Sequence, residues 1–117
     1  MILDAYYDAV RRLLGDGDTG KQITHVGFGT DPAPPAPSDA ALSADAVTIP
    51  VSDVTYSESD PRTVTVAFTM PLDTGNGLVI REVGLITADG TLIARKTREP
   101  LLKTPDMRLG ESWDIQA

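Results

Sequence analysis

The segment formed by residues 75–96 constrains the fold of this chain more than any other. Two runs rich in leucine, isoleucine and valine flank Asp89-Gly90, a dipeptide typical of the two-residue turn of a β-hairpin. Both residues tolerate the positive φ that a type I′ turn needs. Such a turn would place Ile86 opposite Ile93, and we therefore take this hairpin as the centre of the fold.

The first strand of the hairpin is predicted to be apolar on both faces. Leu78, Ile80 and Ile86 point one way, and Val79, Val83 and Leu85 point the other. Because a strand with two apolar faces has to be covered on both sides, the hairpin is expected inside a sandwich or under a partner chain.

Other segments carry the alternation of strands. They are residues 23–29, 47–56, 62–70 and 111–116. In the third, Val64, Val66, Phe68 and Met70 are predicted to face inward. Residues 47–56 are predicted to form one edge strand with a bulge, because Pro50 lacks a donor and Ser52 shifts the alternation. A turn at residues 58–61 would join these two segments as a second hairpin.

The N-terminal residues predict an amphipathic helix. Apolar side chains recur at helical spacing, namely Leu3, Tyr6, Val10 and Leu13, with Tyr7 and Leu14 widening the stripe. Gly15 is expected to end the helix in the left-handed conformation. A short helix must pack on something, which is either its own sheet or another subunit.

Two connections stand out. Residues 31–38 hold four prolines and predict an extended, exposed spacer across one end of the fold. Residues 98–110 show no steady period, yet they carry four apolar side chains that have to be buried somewhere, namely Leu101, Leu102, Met107 and Leu109.

Composition excludes several classes of function. The chain has no cysteine, so disulfides and thiolate chemistry are excluded. A net charge of −7 argues against nucleic acid and anionic membranes as partners. No run approaches the ~18 apolar residues of a membrane helix, and the N-terminus lacks a signal-peptide pattern, so folding in a cytoplasm is expected.

Few residues suit catalysis. His25 is the only histidine, and without a nearby nucleophile or second ligand it is interpreted as structural. Glu82 lies in the most apolar strand, where a charge needs a partner; Arg62, Arg95 and Lys96 are the candidates. We expect no enzyme, no catalytic residue, no cofactor and no metal site. A hydrolase would need two carboxylates that converge in a cleft.

The order of short motifs resembles a known family. A strand ending in Val26-Gly-Phe-Gly-Thr30 precedes the proline-rich stretch, and Ile80-Arg-Glu-Val-Gly-Leu85 and Asp89-Gly90 follow, before a closing Trp113-Asp-Ile115. This pattern is similar to the N-terminal, particle-attached region of bacteriophage and prophage tail-fibre or tail-collar proteins. The resemblance implies a structural virion component attached to the baseplate or tail tip. It also implies an oligomer, with a trimer as one arrangement.

These inferences combine into one expectation. Residues 1–117 form a single domain, a mainly antiparallel β-sandwich of six or seven strands (22–117) behind an N-terminal helix (1–15). The chain acts through contacts with other tail or baseplate proteins in a virion or phage-like particle, and it is assembled in the host cytoplasm. The candidate contact residues are Leu3, Tyr6, Tyr7, Val10, Leu14, Leu101, Leu102 and Met107.

A carbohydrate-binding module is the alternative function, since β-sandwiches often bind sugars. Such modules present exposed aromatic rings, and Tyr56 is the obvious spare ring in this sequence.

Overall fold

In the computed structural model, which describes residues 1–60 and 62–116, one helix precedes seven strands in two antiparallel sheets. The predicted mainly β architecture is therefore confirmed. In chain order the elements are α1 (Asp4–Asp16), a 3₁₀ turn (Thr19–Lys21), β1 (Ile23–Gly29), β2 (Val47–Pro50), β3 (Asp53–Tyr56), β4 (Thr63–Met70), β5 (Val79–Thr87), β6 (Leu92–Leu102) and β7 (Leu109–Gln116).

The two sheets enclose one apolar core. The four-stranded sheet has the order β2-β1-β5-β6, and the three-stranded sheet has the order β3-β4-β7. Phe28 of β1 and Phe68 of β4 meet across the interior edge to face, with ring centroids 5.5 Å apart. Both side chains are buried, and each contributes roughly 1.5–3 kcal/mol to the free energy of unfolding.

The predicted single strand over residues 47–56 is two strands. β2 lies at the edge of the four-stranded sheet and β3 at the edge of the three-stranded sheet. The prediction of an edge position is confirmed, and that of one continuous strand is wrong. The phase shift at Ser52 marks the point where the chain crosses between sheets. The turn predicted for residues 58–61 joins β3 to β4, although Pro61 lies outside the described residues.

The central hairpin is present with a different turn. Thr87 N–H donates to the Thr91 carbonyl at 2.9 Å, and Gly90 N–H donates to the Thr87 carbonyl at 3.0 Å, which leaves a three-residue loop. Gly90 has a φ of 88° and Asp89 has none of the positive φ that a type I′ turn requires. Ile86 consequently faces Leu92 rather than Ile93, and the register shifts at this point.

The helix covers one end of its own sandwich. Ala9 is buried in the core, and Tyr6 packs against it. The helix runs past Gly15 to Asp16, and Gly17 (φ 65°) is the left-handed cap, so the predicted end was two residues early. Ahead of the helix, Ile2 bridges Ala94, so that residues 1–3 extend the four-stranded sheet beyond β6.

The second face of the hairpin is covered by residues 30–46, which we call the strap. Glycines on the outer face of the four-stranded sheet let the strap approach. A Cβ built on Gly27 would lie 2.4 Å from Leu42 Cδ1, and one on Gly84 would lie 3.1 Å from Leu42 Cδ2. The predicted proline-rich spacer therefore belongs to a segment that lies over a sheet face. The prediction that β5 is covered on both sides is confirmed.

The expectation of an irregular excursion over residues 98–110 is wrong for residues 98–102. They belong to β6, which runs to Leu102, so the irregular excursion is shorter than the sequence pattern indicated. Leu101 faces Ile80 and Leu102 faces Val79 in the pairing of β6 with β5. Pro100, which would interrupt a central ladder, lies in an edge strand.

Candidate functional site

Glu82 of β5 is fully buried, and its partner is Arg95 of β6. Arg95 Nε donates to Glu82 Oε1 at 3.0 Å, and the Arg95 side chain is 3% exposed. Of the three basic residues considered from the sequence, Arg95 is therefore the partner. The two residues lie on the outer face of the sheet, where the strap covers them.

The strap is fastened to this pair by backbone and side-chain groups. The other carboxylate oxygen of Glu82 accepts from the Asp31 N–H at 2.9 Å and from the Ser43 N–H at 3.0 Å. Arg95 Nη1 donates to Asp39 Oδ2 at 3.1 Å, and Arg95 Nη2 donates to the Asp31 carbonyl at 3.3 Å. Burial lowers the pKa of Arg95, but Glu82, Asp39 and Asp31 outweigh it and raise that pKa overall.

Three carboxylates converge on one guanidinium, because Asp31 Oδ2 also lies 3.8 Å from Arg95 Nη2. A general acid or base needs an accessible oxygen within reach of a substrate, whereas both oxygens of Glu82 already accept hydrogen bonds from fixed donors. Asp39 also accepts from the Ala36 N–H at 2.9 Å. We interpret the cluster as the fastening of the strap, since each negative group is engaged by the protein itself.

Lys103 is a second buried charge, one that the sequence pattern did not reveal. Its ammonium donates to Asn76 Oδ1 at 3.0 Å, to the Thr104 carbonyl at 3.1 Å and to the Leu72 carbonyl at 3.4 Å. These oxygens tie the loop before β5 to the loop after β6. The only sequence hint was a lysine directly after an apolar pair, which does not distinguish a buried ammonium from an exposed one.

The helix candidates fall into three environments. Leu3 has no exposed surface, so its side chain is unavailable to a partner. Tyr6 and Val10 are half-buried and line an apolar groove of about 500 Å³ between the helix and the sheets, together with Tyr56. Tyr7 and Leu14 point away from the sandwich, with 59% and 84% of their surfaces exposed.

The remaining candidates lie at the other end of β6. Leu101 packs against the core, Met107 is half-buried, and Leu102 is 53% exposed. Ile93, at the start of β6, lines the groove beside the helix. The two sets of candidate residues are therefore separated by the length of β6 and do not form one patch.

His25 lies in β1 and is half-buried. Its Nδ1 lies 2.8 Å from the Thr24 hydroxyl. Over residues 1–60 and 62–116, no three histidine or acidic side chains are grouped so as to hold a metal ion. In the same part of the chain, no helix has the length and apolar character to cross a membrane.

Most of the chain matches a known family. The model for the N-terminal region of phage tail-collar fibre proteins matches residues 15–107. The chain belongs to this family. Comparisons with curated proteins and with solved structures found no match.

Membership of the tail-collar fibre family confirms the resemblance inferred from the sequence motifs. The matched region begins near the end of α1 and ends in the loop before β7, so it includes the hairpin, the strap and the Glu82–Arg95 pair. The tail-collar fibre domain is a structural component of the phage tail. It is associated with the virion and with other tail proteins.

Proposed function

We propose that this tail-collar fibre domain is an attachment component that works through subunit contacts with other tail or baseplate proteins and has no enzymatic activity. We further propose that it forms homo-oligomers and assembles into the particle in the host cytoplasm. The observation that carries the proposal is the exposed apolar pair on the outer face of α1, Tyr7 and Leu14.

The helix face has the features of a contact surface. Tyr7 and Leu14 lie seven positions apart, hence on one face of the helix. Charged side chains on the same helix are also exposed, including Arg11, which forms a surface ion pair with Asp8. Apolar groups within a polar rim are typical of protein interfaces. Tyr6 and Val10, which border the groove, extend this surface toward the sandwich.

Leu101, Leu102 and Met107 supply a second proposed contact. Because this patch and the helix face lie at opposite ends of β6, a single chain is able to contact one neighbour at each end. Such an arrangement suits a connector between a baseplate and a fibre.

Incorporation into tail particles tests this proposal. Leu14→Glu and Leu102→Glu introduce a charge at positions that are 84% and 53% exposed, so both variants should fold. Ala40→Glu, at an exposed strap position, makes the same change away from both patches. We expect the first two variants to be depleted from purified particles and the third to be retained. Equal retention of all three would contradict the proposal.

The carbohydrate-binding alternative has one observation in its favour. Tyr56 is 76% exposed and borders the apolar groove. Titration with glycans, followed by tyrosine and tryptophan fluorescence of the wild type and of Tyr56→Ser, separates the two functions. The attachment role predicts no saturable change, whereas a saturable change that Tyr56→Ser abolishes would favour the alternative.

A further inference from the structure

The edge strands of the two sheets are protected to very different degrees against pairing with a further strand. β2 and β3 have four residues each, and β2 ends in Pro50. β6 is covered by residues 1–3 along its first part and carries Pro100 further on. Short strands, prolines and covering segments are the usual means of blocking edge-to-edge association.

β7 has none of these protections. Its eight residues pair with β4 in unbroken register from Leu109 to Gln116, and the strand contains no proline, lysine or arginine. Among the described strands, β4 is its only neighbour. Its charged side chains are the two carboxylates Glu111 and Asp114. An edge that is otherwise long, regular and uncovered by any described strand is a template for another strand.

The backbone groups on this edge can be assigned from the pairing on the other side. Within a strand, the N–H and C=O of one residue point to the same side. Because the Ala67 carbonyl accepts from the Ser52 N–H, Ala67 directs its backbone toward β3. Its partner in β7 is Ser112, which must then direct its own backbone away from β4. By alternation, Gly110 and Asp114 do the same.

On this side of the sandwich, the four-stranded sheet extends further than the three-stranded sheet. Residues 1–3 extend the four-stranded sheet by one strand on this side, whereas the three-stranded sheet ends at β7. Met1 and Ile2 consequently border a shallow groove of about 160 Å³ with Trp113 and Ile115. Met1 is 49% exposed there. A strand placed beside β7 would cover these apolar groups.

We propose that β7 pairs antiparallel with β7 of a second copy of this chain, about a two-fold axis at Ser112. In this register the outward backbone groups of Gly110, Ser112 and Asp114 meet their counterparts as hydrogen-bonded pairs. Asp114 lies opposite the partner's Gly110, and Glu111 lies opposite the partner's Trp113. No like charges are opposed, whereas registers centred on Glu111 or Asp114 would oppose two carboxylates. This inference rests on the proposed subunit-contact role and names a second copy of the chain as one partner. The pairing joins two sandwiches through a six-stranded sheet.

Charge substitutions at Gly110 test both the partner and the register. A Cβ at Gly110 would meet Thr69 Oγ1 at 3.5 Å, an ordinary contact, so substitutions should be tolerated. Gly110→Lys would face Asp114 of the second copy, and Gly110→Asp would oppose it. For two symmetry-related pairs we expect the association constant to rise roughly 2- to 30-fold with lysine and to fall by a similar factor with aspartate.

The matched controls are Ala44→Lys and Ala44→Asp. They make the same change in net charge at an exposed strap position, on the outer face of the other sheet. Because each chain carries a net charge of −7, these controls report the general repulsion between copies, which salt screens. Sedimentation equilibrium at fixed ionic strength gives the association constants. Changes at Gly110 that exceed those at Ala44, in opposite directions, support the pairing.

Hydrogen exchange supplies a second readout that does not depend on a variant. The amides of Ser112 and Asp114 should become protected as protein concentration rises, while the exchange of β3 amides remains constant. A protein that is monomeric at all concentrations would overturn the pairing, as would an oligomer in which these amides still exchange freely. These experiments leave Leu14 and Leu102 unchanged. Failure of the β7 pairing therefore does not contradict the attachment role, and failure of the attachment role does not contradict the pairing.

Discussion

Arg95 Nε donates a 3.0 Å hydrogen bond to Glu82 Oε1 across neighbouring strands, and both side chains are withdrawn from water. This pair lies between a sheet and the strap, and it supplies the acceptors and donors that fix the strap in place. A buried pair of this kind adds little to stability compared with apolar residues, but removing one partner is costly. The role of the Glu82–Arg95 pair is therefore to fix the position of the strap rather than to add stability.

Removal of the guanidinium should destabilise the fold strongly. In Arg95→Met the Glu82 carboxylate stays buried without its cation, and we expect the free energy of unfolding to fall by about 3–5 kcal/mol. Arg11→Met is the matched control, since Arg11 forms an ion pair on the exposed surface of α1 and such pairs contribute about 0.2–1 kcal/mol. Chemical denaturation measures both. A loss in Arg95→Met no larger than that of the control would contradict the structural role of the pair.

A methyl group at Gly29 should disturb the same cluster. Its Cβ would lie 2.4 Å from Glu82 Oε2 and 2.6 Å from Ser43 Oγ, and that carboxylate oxygen is held by two backbone N–H groups. We expect Gly29→Ala to lower the free energy of unfolding by roughly 1–3 kcal/mol. Faster hydrogen exchange at the Ser43 amide should accompany the loss. Unchanged stability together with unchanged exchange would show that the strap does not depend on this contact.

Two glycines near the end of α1 should respond in opposite directions to alanine. Gly15 lies inside the helix with nothing within 4 Å of the position that a Cβ would occupy, whereas Gly17 caps the helix at a φ of 65°. Gly15→Ala should stabilise the protein by up to about 1 kcal/mol, and Gly17→Ala should destabilise it by about 1 kcal/mol. Thermal unfolding of the two variants measures the contrast. The reverse order would place the helix end at Gly15.

Asp89 should contribute to loss of stability in acid. Hydrogen bonds from Lys21, Thr87 and Thr91 lower the pKa of this carboxyl group in the folded protein. Its contribution is therefore complete above the unfolded value, about 3.9, and is lost as the pH falls below that value toward the folded pKa. Asp89→Asn should flatten the decline of stability below about pH 4, as measured by urea unfolding at several pH values. An identical decline in variant and wild type would exclude this role.

Local periodicity explains what could be predicted. Alternation identified β1, β4, β7 and the central hairpin, and helical spacing identified α1, because each pattern reflects burial within one element. The split between β2 and β3 was not predictable, since a phase shift at Ser52 fits a bulge and a crossing between sheets equally well. Asp89-Gly90 likewise fits either a two-residue or a three-residue loop.

Long-range contacts explain what the sequence could not show. Glu82 was recognised as needing a partner, but its bond to the Asp31 N–H joins residues 51 positions apart. No local pattern encodes such a bond, so residues 31–38 of the strap were interpreted as a spacer. For the same reason Leu3 was expected to be available for contacts, although residues 1–3 pair with β6 and bury its side chain.

Photo-crosslinking within assembled tails tests the attachment role most directly. A crosslinker placed at position 14, on the outer face of the helix, and another at position 44, on the strap, differ only in their location. We predict that position 14 forms a crosslink to another tail or baseplate protein and that position 44 forms none. A third crosslinker at position 102 reports on the second proposed contact. Tails that contain the chain but yield no crosslink from position 14 or from position 102 would contradict the attachment role.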